Sequence, residues 1–239
     1  MIGKLLSKKQ IKNEELTDKV NSLFKNKKFI KTVASMHEVK EFELEQLQVN
    51  AAHTLEAVMG QTEDLQKFNS TIIQLTNEDD TISILYNSLP KGEHYLHANI
   101  LLKGQENYKY TFSFDNEELI VANVATKANS LVTQVDEISD YEAIADQEQV
   151  QQQAWWTADG CLPGGYQHCG GNCGYDLDNG GGTPINKTDE CCIAHDRCWS
   201  VFGEGDNCCD KELVSCVEGE ISWAATGIRT YFGPQALQC

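Results

Sequence analysis

Apolar residues change their spacing near residue 81 of this 239-residue chain. Over 14–34 and 41–75 they recur at helical intervals: Leu16, Val20, Leu23 and Phe24 in the first stretch, Leu47, Leu55, Val58 and Met59 in the second. That spacing predicts amphipathic helices, and the Lys-rich start reads as a solvated helix face. From 81 the period becomes two, in Ile82-Ile84-Tyr86, Leu96-Ala98-Ile100-Leu102, Tyr108-Tyr110-Phe112-Phe114 and Leu119-Val121. Turn residues punctuate these runs at Pro90-Gly92, Gly104-Asn107 and Asp115-Asn116. The pattern predicts a four-stranded antiparallel meander with one face covered by the helices, hence a small α+β domain over 1–133. The polar, acidic stretch QVDEISDYEAIADQEQVQQQ reads as a linker or solvated helix and as a cleavage region, placing a boundary at 134–154. Trp155-Trp156 then opens a second domain over 155–239.

Cysteine usage separates the two domains more sharply than hydropathy does. All ten cysteines fall between Cys161 and Cys239, an even number at the density of a disulfide scaffold. Disulfides persist in oxidising surroundings, so the expected location is extracellular. The start MIGKLLSKKQ lacks the apolar run of a standard secretory signal, which leaves the export route open. No apolar run approaches the roughly 20 residues that span a bilayer, so the chain is not expected to be transmembrane. The formal charge is −17; residues 161–239 hold 11 acidic against 4 basic residues, a net of −7, which leaves −10 for the rest. Both parts repel polyphosphate backbones, which argues against nucleic acid as a partner. An acidic protein that handles phosphates needs a cation between itself and them.

The cysteines cluster around one histidine. A helix starting near Asp189, capped by Thr188 or Asn186, puts Cys191, His195, Cys198 and Phe202 on one face. A second helix over 207–221, capped by Asp206, aligns Cys209, Leu213, Cys216 and Glu220. The pairs Cys191/Cys216 and Cys198/Cys209 have equal index sums, as cross-links between antiparallel neighbours do, so two disulfides can staple the helices. His195 then faces Asp210, and a carboxylate on one imidazole nitrogen frees the other to take a proton from water. Asp196 points about 100° away and serves another role. Upstream, GGNCGYDLDNGGGTP suits a tight loop that exposes carbonyls, the ligands that calcium takes together with carboxylate oxygens. Zinc is disfavoured because the adjacent pairs at 191/192 and 208/209 lack a C-x2-C knuckle. His37, His53, His94 and His97 have no cysteine or carboxylate at ligand spacing.

Residues 161–220 resemble the secreted phospholipase A2 superfamily. The hallmark C-C-x-x-H-D-x-C stands as Cys191-Cys192-Ile193-Ala194-His195-Asp196-Arg197-Cys198, preceded by Gly182-Thr183-Pro184, and C-D-x5-C stands as Cys209-Asp210 through Cys216. The resemblance implies a small, disulfide-rich, mainly α catalytic domain. It also implies calcium-dependent hydrolysis of the sn-2 ester of glycerophospholipids at a membrane or micelle surface. His195 would be the general base, Asp210 its orienting partner, and Asp196 the side-chain calcium ligand. The family's C-G-x-G loop is matched here by Cys173-Gly174-Tyr175-Asp176, which places carbonyl ligands at Asn172, Gly174 and Asp176. Alignment on Gly-x-Pro would place them instead at Tyr175, Leu177 and Asn179. Cys192 is then expected to pair with Cys173. Trp199 stands where many members carry a tyrosine bonded to the orienting aspartate. Residues 1–133 would act as a propeptide, or as a regulatory or export domain packed on the catalytic one. The alternative is a non-catalytic, membrane-active or binding module on the same scaffold.

Overall fold

The computed structural model of the protein describes residues 2–61, 64–88, 94–115, 117–131, 141–142, 160–162, 164–174 and 176–239. By their internal contacts they form two units, one of residues 10–54 with 71–135, the other of residues 1–9, 55–70 and 136–239. Apart from Tyr141–Glu142, the linker expected at 134–153 and the Trp155-Trp156 pair lie outside the described residues.

The elements run β1 (Ile2–Gln10), α1 (Asn13–Leu23), α2 (Lys27–His37), a single 3-10 turn, β2 (Gln48–Gln61), β3 (Asp64–Thr76), β4 (Ile82–Ser88), β5 (His94–Leu102), β6 (Asn107–Asp115), β7 (Glu118–Thr126) and β8 (Tyr141–Glu142). Three helices follow: α3 (Lys187–Phe202), α4 (Asn207–Cys216) and α5 (Trp223–Ala236). Seven strands of seven residues or more, with the two-residue β8, make one sheet in the order β7-β6-β5-β4-β3-β2-β1-β8.

The runs from 82 to 126 are antiparallel neighbours, but they are not a four-stranded sheet, because strands earlier in the chain extend it. Residues 48–61 and 64–76, expected as helix, are strands, as are residues 2–10. Thr71, Ile72, Ile73 and Thr76 explain the reversal in β3: β-branched side chains are stiff in a helix and fit a pleated surface. They pair with β4 in the register Ile72↔Asn87 and Leu75↔Ile84. Tertiary pairing overrides the coincidental helical spacing of Leu47, Leu55 and Val58. The 14–34 stretch is two helices, divided where the Asn26 side chain accepts from the backbone N–H groups of Lys28 and Phe29.

In the first unit, Phe29, Val33 and Met36 of α2 recur one turn apart and bury against Ile73, Leu75, Ile82, Ile84, Ala98, Ile100 and Phe112. At about 1.5–3 kcal/mol for each large apolar side chain, this layer supplies most of the drive for helix-on-sheet packing.

The C-terminal region is held differently. Its helices are capped by Asn186, Asp206 and Ser222, each accepting from a first-turn N–H. Five disulfides link Cys161–Cys173, Cys169–Cys192, Cys191–Cys216, Cys198–Cys209 and Cys208–Cys239, and no free cysteine remains. Such cross-links fit an extracellular or secreted protein. Among the described residues no helix is long and apolar enough to cross a membrane.

Candidate functional site

The site begins with the two helices that the cysteines staple. Cys191–Cys216 and Cys198–Cys209 join α3 to α4 at both ends of a seven-residue span, with His195 between them on α3 and Asp210 beside Cys209 on α4. His195 Nε2 lies 2.9 Å from Asp210 Oδ1, and both side chains are buried. Asp210 sits in the first turn of α4, where the helix dipole favours negative charge. With Nε2 engaged, Nδ1 is the nitrogen left for a water.

Two aromatic rings close over the imidazole. Trp199, one turn along α3, is 4.2 Å away centroid to centroid, and Phe232 of α5 is 5.2 Å away in an edge-on arrangement. This apolar cover lowers the His195 pKa below the ordinary 6.5, because lost hydration of the imidazolium outweighs the hydrogen bond and charge of Asp210. The ring is therefore neutral at neutral pH, as a general base must be. The Trp199 indole Nε1 is buried without a hydrogen-bond partner, so it does not take the place of a tyrosine on Asp210.

Asp196 presents the opposite electrostatic situation. Its Oδ2 is buried and has no hydrogen-bond partner. Burial first, and the like charge of Asp189 after it, push the carboxyl from 3.8 up to about 7. A desolvated carboxylate oxygen with no proton donor is expensive unless a cation meets it, so Asp196 has the chemistry of a calcium ligand.

The loop before α3 is tied to it by Asp189, a residue that the sequence reading took only as the helix start. This fully buried carboxylate accepts four backbone N–H groups: Gln167 at 2.9 Å, His168 at 2.8 Å, Cys169 at 3.1 Å and Ile185 at 3.1 Å. Cys192, expected to bond Cys173, pairs instead with Cys169, while Cys173 pairs with Cys161. The physical reason is that Asp189 already holds the 167–169 backbone against the first turn of α3, next to Cys192. Further on, the loop is braced by His168, whose Nε2 lies 2.8 Å from the Gly182 carbonyl oxygen.

The expected carbonyl ligands occupy a small turn of their own. The Asn172 carbonyl accepts from the Asn179 backbone and side chain, and the Gly174 carbonyl accepts from Leu177 N–H at 2.6 Å. Gly174 (φ 95°) is packed so closely on His168 that a Cβ would lie 2.5 Å from its ring nitrogen. Asp176 is exposed with φ 58°, in left-handed backbone. Two of the three carbonyls are thus engaged within the turn itself, and no cluster of three or more His, Cys, Asp or Glu side chains is present among the described residues. In the other alignment Leu177 is exposed, Asn179 N–H and side chain bond back to Asn172, and Tyr175 lies outside the described residues.

Phe232 and the whole of α5 escaped the sequence reading. The available signal was Ser222 as a cap before Trp223, Ile228 and Phe232, apolar at near-helical spacing. No protein-family model, no curated protein and no solved structure matches the chain.

Proposed function

We propose that the C-terminal region is a calcium-dependent phospholipase A2 that hydrolyses the sn-2 ester of glycerophospholipids. The observation that carries the reading is the buried His195–Asp210 pair, cross-braced by two disulfides, beside an Asp196 oxygen with no partner of its own.

The chain's own residues divide the chemistry as follows. Asp210 accepts the Nε2–H of His195, fixing the tautomer that leaves Nδ1 unprotonated. Nδ1 takes a proton from a water, which attacks the ester carbonyl, and the imidazolium so formed is stabilised by Asp210. The same nitrogen returns the proton to the departing alkoxide, so no acyl-enzyme forms. Trp199 and Phe232 exclude water from the other ring surfaces and keep the base neutral. Calcium, when bound, supplies positive charge to the substrate phosphate and to the oxyanion that develops at the carbonyl.

Asp196 would hold the ion through its carboxylate. With Cys169 bonded to Cys192, the C-G of the loop is better matched by Cys169-Gly170 than by Cys173-Gly174, and the carbonyl ligands would then be His168, Gly170 and Asn172, the last of which would have to exchange its Asn179 donors for the ion. Hydrogen bonding supports that register. Cys169 and Gly171 carbonyls accept from the backbone N–H groups of Leu162 and Gly160, so the carbonyls on either side of Cys169, those of His168 and Gly170, are the ones this pairing leaves for an ion.

Vesicles of phosphatidylcholine labelled in one acyl chain provide the test. The sn-2 fatty acid should be released in calcium and not in EGTA. Vesicle leakage without any released fatty acid would instead establish the non-catalytic, membrane-active module. A regulatory or export role for residues 1–133 extends the same proposal; a protease site inserted at 150–154 should change the rate on cleavage, and an unchanged rate would refute the masking role.

A further inference from the structure

Among the described residues β7 ends the sheet, with only β6 beside it. The register Phe112↔Val121 and Thr111↔Ala122 places Leu119, Val121, Asn123 and Ala125 on the face shared with the Phe112 core, and Ile120, Ala122 and Val124 on the other. Apolar side chains are exposed on both faces: Ile120 by 44%, Val121 by 48% and Val124 by 59%. Residues 119–126, LIVANVAT, contain no charge and no proline. Edge strands of monomeric proteins are ordinarily guarded by inward charges, proline or extreme shortness, and a strand apolar on both faces is the pattern of a sheet interior. β7 is built as an inner strand, and among the described residues it has no outer neighbour.

We infer that β7 pairs edge to edge with β7 of a second copy of this chain, extending the sheet across a two-fold axis. The sequence of the strand selects its own copy as occupant. A two-fold axis normal to the sheet keeps each face on its own side, so only residues of like parity meet. Centring the pair on Ala122 sets Ile120 opposite Val124, Leu119 opposite Ala125 and Val121 opposite Asn123, each twice. Just beyond the strand ends, the same register brings Glu117 of the β6–β7 turn toward Lys127 at both rims. Glu117 lies 3.2 Å from Lys28 yet keeps its side chain 88% exposed, and Lys127 is exposed. Centring on Val121 would place Glu118 against Val124, and centring on Asn123 would place Leu119 against Lys127; of the three, the Ala122 register alone keeps every charged residue off the apolar side chains, with Val121 against Asn123 its one mixed pair.

Sedimentation velocity on the full chain over a concentration series tests this, with circular dichroism to verify folding. The wild type should show a concentration-dependent dimer. Val124→Lys, at a site already exposed, should give a folded monomer. Lys127→Glu sets two like-charged pairs across the axis and should raise the dimer dissociation constant about tenfold. The double swap Glu117→Lys with Lys127→Glu should restore the dimer to within about threefold of wild type. A wild type that stays monomeric at every concentration, or a dimer indifferent to Val124→Lys and to both charge changes, overturns the inference.

Discussion

Replacing Asp196 by asparagine should stabilise the protein when no metal is present. Folding takes this carboxyl from an ordinary 3.8 to about 7, chiefly by burial. At about 1.4 kcal/mol per pH unit, the difference amounts to about 4 kcal/mol against the folded state once the pH exceeds 7. Partial solvent contact of the side chain screens some of this, which leaves about 2–3 kcal/mol. The sign follows from proton counting: between about 4 and 7 the folded state holds a proton that the unfolded state has released, so stability present at acid pH is lost as the pH rises. Asparagine has no charge to lose, and it exchanges one unpaired buried polar atom for another. In EGTA its melting temperature should therefore match wild type near pH 4 and exceed it by about 10 °C at pH 8. Saturating calcium should raise the wild-type transition, by about 2.7 kcal/mol at one hundred times the dissociation constant, and leave the variant unmoved. The assay is thermal unfolding by circular dichroism at the two pH values, with EGTA or calcium. A variant no more stable than wild type at pH 8, or one that calcium still stabilises, refutes Asp196 as an uncompensated ligand.

Other consequences follow from the same geometry. Phe232→Ala, which readmits water beside the imidazole, should bring the lowered His195 pKa back toward its ordinary value; the acid limb of the pH–rate profile should move up relative to wild type, and an unmoved limb would contradict the burial argument. The same variant should lose about 3–5 kcal/mol in chemical denaturation, since the ring is fully packed. Asp189→Asn keeps at most half of the acceptor capacity for Gln167, His168, Cys169 and Ile185, so terbium luminescence titrations of a His195→Gln background should show about tenfold weaker binding; unchanged affinity would separate the clamp from the ion. Cys169→Ser with Cys192→Ser should cut calcium affinity more than Cys161→Ser with Cys173→Ser does, and the reverse order would restore the Cys173-Gly174 register.

Much of the α3–α4 hairpin was legible because its signals are local. Equal index sums of paired cysteines, Asn186 and Asp206 as caps, and the four-residue step from Cys191 to His195 all survive in the structure. What escaped depends on contacts between distant segments. β2 and β3 read as helix because Leu55, Val58 and Met59 share a helical spacing by chance, and only pairing with neighbouring strands decides otherwise. The expected Cys192–Cys173 bond is wrong, since spacing along the loop does not distinguish Cys173 from Cys169. The four backbone hydrogen bonds of Asp189 settle it in three dimensions. Asp189 itself looks in sequence like any acid in a first helical turn.

The central claim is that His195, held by Asp210, activates water at an ester only when calcium is bound. The most direct measurement is a calcium titration of fatty-acid release from phospholipid vesicles by the full chain, run in parallel with His195→Gln. The account predicts a saturable rise in rate for the wild type, about 10³-fold or more above the variant, with both proteins folded alike. Equal release by the two proteins, or release from wild type that EGTA leaves untouched, would contradict it.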